Sequence, residues 1–178
     1  MRAAALLFIL AVSACATSTQ SGTPVQTATV SSAVAPQQTM DLTRDVVVRQ
    51  TSIEAPRTKV WEALHAVHDA LGIGFTNGDL GSGTATFEVA NRIRTVAGKP
   101  ASRYIDCGMG PAGARADSYR LVVRLNHSLE SPTPTSTVLT STLQAWARNP
   151  GMSSDAIPCT SMGLLEREIG AAVATRLR

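Results

Sequence analysis

From Ala16 to Met40 the chain reads ATSTQSGTPVQTATVSSAVAPQQTM, 25 residues without one charged or aromatic side chain. So little large apolar surface cannot offset the entropy of ordering, so the stretch reads as a disordered tether and confines any fold to the chain beyond Met40. Extended, it would reach about 85 Å; as a coil its ends average roughly 27 Å apart. Beyond it come the charges Asp41, Arg44 and Asp45 and the six aromatics Trp61, Phe75, Phe87, Tyr104, Tyr119 and Trp146, which place a single folded unit at residues 42–178. That length supports one core without outside help. A net charge of +3 is too small to argue for nucleic acid, and no apolar run approaches the roughly 20 residues of a membrane-spanning helix.

Ahead of the tether, Arg2 supplies a positive start, Ala3 to Val12 an apolar run, and Ser13-Ala14 two small residues before Cys15. This is the pattern of a secretory signal, residues 1–14. Val12-Ser13-Ala14-Cys15 also resembles the lipobox of bacterial lipoproteins. The resemblance implies cleavage before Cys15, a diacylglyceryl group on its sulfur and a third acyl chain, such as palmitate, on its new amine. Residues 15–41 then comprise the lipid anchor and tether. Ala16 rather than Asp comes after the Cys, which in that family implies an outer-membrane, periplasm-facing address where the source has two membranes. A conventional signal that merely leaves a cysteine first is the alternative.

Within the folded unit, Val46-Val47-Val48 opens a β-branched run to Ile53. Pro56 suits a first helical turn, and Val60, Leu64, Val67 and Leu71 recur at helical spacing up to Gly72, predicting a helix over 56–71. Asn77 to Gly83 reads as a turn cluster, and after it comes a strand in which Ala85, Phe87, Val89 and Ile93 alternate with polar residues. A short strand is expected around Tyr104-Ile105-Asp106-Cys107. Tyr119, Leu121, Val123 and Leu125 then alternate with Arg120 and Arg124, Ser131 to Pro134 forms a loop, and Val138 to Ala147 returns as the second arm of a hairpin. Thr160-Ser161 would cap a last helix carrying Leu165, Ile169, Val173 and Leu177. The class is α+β: about five to six antiparallel strands in a meander, with an N-proximal helix and a long C-terminal helix on one face.

This order, with Pro56, Val60-Trp61 and Leu64 on the first helix, resembles the helix-grip fold. Two groups share it: the START-like superfamily, and the domains of BamC, an outer-membrane lipoprotein of the β-barrel assembly machinery that also has a long unstructured N-terminal part. The first implies a pocket for a lipid or small hydrophobic ligand, here around Trp61, Phe87 and Tyr119. The second implies a non-enzymatic domain that binds other envelope proteins.

Cys107 and Cys159 remain once Cys15 is lipidated, an even pair in an oxidising compartment, and a disulfide is expected; two separate thiols are the alternative. His65 and His68 lie three apart but lack the spacing and third ligand of a zinc site, so both are taken as surface or boundary residues and no metal is expected. The glycine clusters at 78–83 and 108–113 lack a Gly-Lys-Ser/Thr ending, no Gly-x-Ser-x-Gly elbow occurs, and Glu166 and Glu168 point to different helix faces. Arg92, Arg94, Arg120 and Arg124 fall on outward strand positions and could form a basic patch for lipid phosphates or an acidic partner, or simply a solvated sheet face. The expectation is a non-enzymatic, cofactor-free outer-membrane lipoprotein with a protein partner in the envelope and no nucleic acid; the alternative is a carrier of a hydrophobic ligand.

Overall fold

A computed structural model describes residues 46–151 and 156–178, apart from the side chains of 91–93. The signal, Cys15 and the tether lie outside the described residues. Strand β1 (Val48–Ile53) leads into helix α1 (Arg57–Leu71), then β2 (Gly74–Asp79) and β3 (Thr84–Ile93). An excursion comes next, holding the two-residue strands β4 (Thr95–Val96), β5 (Lys99–Pro100), β6 (Ile105–Asp106), β7 (Met109–Gly110) and β8 (Gly113–Ala114) and the single turn α2 (Arg115–Ser118). The long hairpin β9 (Arg120–Thr133) and β10 (Ser136–Arg148), then β11 (Ile157–Ser161) and helix α3 (Leu164–Arg176), complete the chain.

Seven strands form one sheet in the order β2-β3-β9-β10-β11-β6, with β1 beside the first half of β10. The pairings within it are antiparallel. The class is therefore the expected α+β, helix-grip-like one, but the sheet has seven strands and is not the simple meander expected: β1 crosses over to β10, and β6 lies beyond β11 at the far edge. Strict alternation makes the central hairpin two-faced. Leu121, Val123, Leu125, His127 and Leu129 of β9 and Leu139, Ser141, Leu143, Ala145 and Ala147 of β10 are buried, while the residues between them are half-buried or exposed. Ala85, Phe87 and Val89 of β3 extend the inner face. Against it α1 sets Val60, Ala63, Leu64, Val67 and His68, and α3 sets Leu165, Ile169 and Val173.

Both helix ends are set by local chemistry. Gly72 adopts φ 66°, donating to the Asp69 carbonyl while Ile73 donates to that of His68, so two otherwise unpaired carbonyls are satisfied. At α3 the residue before the helix is Gly163, and Ser161 takes part from further back, in β11. Its hydroxyl accepts the Gly163 N–H at 3.0 Å and donates to Glu166 Oε1 at 2.6 Å. Gly170 lets α3 press onto β1, because a Cβ there would collide with Thr51.

Individual elements differ from the sequence-based expectation in three further places. Gly74–Asp79, whose second half was expected as the start of a turn cluster, is the sheet-edge strand β2; it is exposed throughout and bulged between Phe75 and Asn77, so no apolar alternation marks it. Strand β11 occupies Ile157–Ser161, where helix caps were expected. The hairpin turn is Pro134-Thr135, so only the last residue of the expected loop turns and Ser131 to Thr133 continue β9, because Thr133 pairs with Ser136.

Candidate functional site

With both helices on one side, the other side of the sheet is open, and at the end where β9 begins and β10 finishes it carries a groove of about 480 Å³. Arg120, Val122 and Arg124 of β9, Trp146 and Arg148 of β10, and Ala156 line it. Register makes the site: Arg120 lies directly opposite Arg148, Val122 opposite Trp146, and Arg124 opposite Gln144. Arg124 donates from Nε (3.0 Å) and Nη2 (2.8 Å) to Glu88 Oε2, and its guanidinium carbon lies 5.8 Å from the Trp146 ring centre. Among the described residues Arg120 and Arg148 make no ion pair.

Of the expected basic patch, then, Arg120 and Arg124 come together. The strand alternation breaks at a bulge between Ala90 and Arg92, and Arg92 pairs in register with Leu121; its side chain lies outside the described residues. Arg94 ends the run in a left-handed conformation, φ 74°, exposed. Arg148 and Trp146 are members that strand periodicity alone did not bring into the patch.

The expected ligand pocket is not assembled. Phe87 is fully buried and opposite Leu125, whereas Tyr119 precedes β9 by one residue, six residues or about 20 Å further along the strand. Trp61 joins Phe87 only through His65 and Phe75, with ring centres 4.9 Å from Trp61 to His65 and 5.1 Å from His65 to Phe87. Leu139, Leu165, Ile169 and Val173, each with no exposed surface, fill the space between sheet and α3.

Inside lies a polar chain of two histidines and a serine. His68, expected at the surface or boundary, is fully buried, stacked on Phe87 at 3.7 Å and hydrogen-bonded through Nε2 to Nε2 of His127 at 2.9 Å. His127 Nδ1 meets Ser141 Oγ at 2.8 Å. A bond between two imidazole nitrogens needs one N–H and one lone pair, so the pair suits neutral rings; two imidazolium rings would face donor to donor. Burial, then the neighbouring His127 and His65, lowers the His68 pKa to about 3, and burial lowers that of His127 to about 3. His68, His127 and Ser141 are all buried, so a substrate would reach this serine and histidine pair only if the core opened. The chain is an interior network satisfied at His127 and Ser141, while His68 Nδ1 is buried without a partner. His65 is half-buried. No group of three potential metal ligands occurs among the described residues.

Cys107 and Cys159 are joined as a disulfide, with an S–S distance of 2.03 Å, tying the excursion after β6 to β11. Glu168 accepts from Tyr104 (2.9 Å), Arg103 (3.0 Å) and Lys99 (3.1 Å) and so holds the same excursion to α3. Burial opposes its ionisation, but those three donors outweigh it and bring its pKa down to about 2. Glu166, two residues before it, faces inward instead; burial raises its pKa against the Ser161 bond, and its Oε2 has no partner.

What these features define is a helix-grip-like domain with a packed core and a basic, tryptophan-floored groove on its open face. No protein-family model and no curated protein matches the chain. Among solved structures, it is similar to a DUF4468 family protein from Bacteroides ovatus, with a TM-score of 0.36 and 9% identity over 64% of this chain and 59% of that one. It is also similar to Ara h 8.0201, with a TM-score of 0.35 and 12% identity over 75% of this chain and 97% of that one. The chain thus spans less than two thirds of the first of these structures.

Proposed function

We propose that the protein is a lipid-anchored, non-enzymatic component of a bacterial outer membrane that acts by surface binding, with a role like that of BamC in engaging other envelope proteins. One observation carries this reading: the helices and the filled core occupy one side of the sheet, leaving the long strands β3, β9 and β10 open on the other. That face is polar, with Thr86, Asn126, Ser128, Thr140 and Thr142 half-buried along it, suited to a partner met through hydrogen bonds. Cys15 and the tether would hold it at the membrane, since acyl burial contributes about 0.8 kcal/mol per methylene and two or three chains make the anchor durable.

The test has two parts, both in the native membrane. Labelled palmitate should enter the protein and be lost with Cys15→Ser. A photo-cross-linking residue replacing Thr140 on the open face should capture one specific envelope protein, whereas a position in the buried core should capture none. Absence of label removes the anchor; a labelled protein with no adduct removes the partner. A hydrophobic small molecule extracted from the purified protein would favour the carrier reading instead.

A further inference from the structure

Arg120 and Arg148 sit directly opposite each other on neighbouring strands, and like charges so placed repel. Neither has an acidic partner among the described residues. The nearby carboxylate, Glu88, is already engaged by Arg124. Among the described residues, then, two exposed guanidinium groups beside indole, Val122 and Ala156 stand without an anion, and one with an apolar body beside its charge suits that lining.

Direction decides which anion. β1 runs antiparallel to β10 with Val48 opposite Thr142, so the chain enters β1 from the side of Trp146 and Arg148. Val48 is level with a point four residues, or about 13 Å, short of Trp146. The groove and the N-terminal approach thus share one end of the sheet, the end that a tether from Cys15 draws toward the bilayer. Arginine and tryptophan together are the side chains suited to a headgroup layer. We infer that the Arg120–Arg148 groove docks on the phosphate of an anionic phospholipid in the membrane that holds the anchor. This rests on the lipid-anchored reading above, and the docked end leaves the rest of the open face to a protein partner.

The probe is the mature chain with Cys15→Ser, unlipidated but otherwise whole, sedimented with vesicles. It should bind phosphatidylglycerol-containing vesicles, not pure phosphatidylcholine, and release as salt rises. Each arginine at an anionic surface is worth about fivefold in partitioning, so Arg120→Gln with Arg148→Gln should weaken binding roughly 25-fold. The same double variant should resist urea at least as well as the parent, because the repulsion is gone. Arg176→Gln with Arg178→Gln, an equal charge change at the end of α3, should bind like the parent. No binding to anionic vesicles, or equal loss in both double variants, would overturn the inference. So would sensitivity of the groove to glycerophosphate without vesicle binding, which would assign a soluble phosphate compound, or an acidic protein cross-linked at Val122 in place of lipid. Palmitate labelling keeps the two readings apart: label on Cys15 with no vesicle binding ends the groove inference and spares the anchor.

Discussion

Acid should unfold this protein through its buried histidine pair. His68 and His127 have folded-state pKa values of about 3, below the 6.5 of an unperturbed imidazole. Between those values the unfolded chain binds two protons that the folded one refuses, so stability falls as pH drops through 6.5 and goes on falling toward 3. At pH 5 each ring is 1.5 units below its unfolded value, which at 1.36 kcal/mol per unit is about 2 kcal/mol, or about 4 kcal/mol for the pair. Against a typical domain stability of roughly 5–15 kcal/mol that is a large share. Glu166 acts in the opposite sense, since its raised pKa makes the folded state take up a proton as the medium acidifies. The informative quantity is therefore a difference. Urea unfolding monitored by tryptophan fluorescence at pH 7, 6 and 5 should show a steep loss in the parent and a much flatter response in His68→Gln with His127→Gln. A parent whose stability is level from pH 7 to 5, or a double variant that loses as much as the parent, would refute the reasoning.

The same geometry sets other outcomes. Replacing Cys107 and Cys159 by Ser releases a 52-residue loop, and in the chain-entropy model costs about 4 kcal/mol, measurable by comparing unfolding midpoints with and without reductant. Gly170→Val would drive two methyl groups into Thr51 and should cost about 1–3 kcal/mol, with β1 amides losing hydrogen-exchange protection first; unchanged protection would contradict the close approach. Glu168→Gln removes a half-exposed hub and should cost about 1 kcal/mol, with Tyr104→Phe adding much less in that background than alone, a coupling that a double-mutant cycle reads directly. Because the Glu168 pKa lies below the usual carboxylate value, its contribution is full above about pH 4.5 and is lost as pH falls toward 2.

How legible these features were depended on whether an element has two unlike faces. Helix α1 and the arms β9 and β10 each bury one side and show it as periodicity, so their register with the core could be read ahead. The same periodicity held a signal left unused: His127 continues the inward series Leu121, Val123, Leu125, and His68 stands four residues after Leu64, on the buried face of α1. Strand β2 gave no signal because nothing on it is buried, and β11 was obscured by Pro158, a residue atypical of strand interiors. The groove was legible by halves. Arg120 and Arg124 could be placed on one face from their spacing alone, but their meeting with Trp146 and Arg148 depends on where the hairpin turns, and one residue of slip would have put those partners on the wrong side.

The position of β1 also has a mechanical meaning. Any pull arriving from the N-terminal side enters the domain along the axis of a strand, and that strand is bonded to β10 through six residue pairs while α3 lies across it. When the opposite end of the sheet is held by a partner, the load is shared among those pairs in shear and does not peel them one at a time. A domain moored in this way would keep its shape while its mooring is tugged, and would yield, if at all, by losing β1 and α3 together.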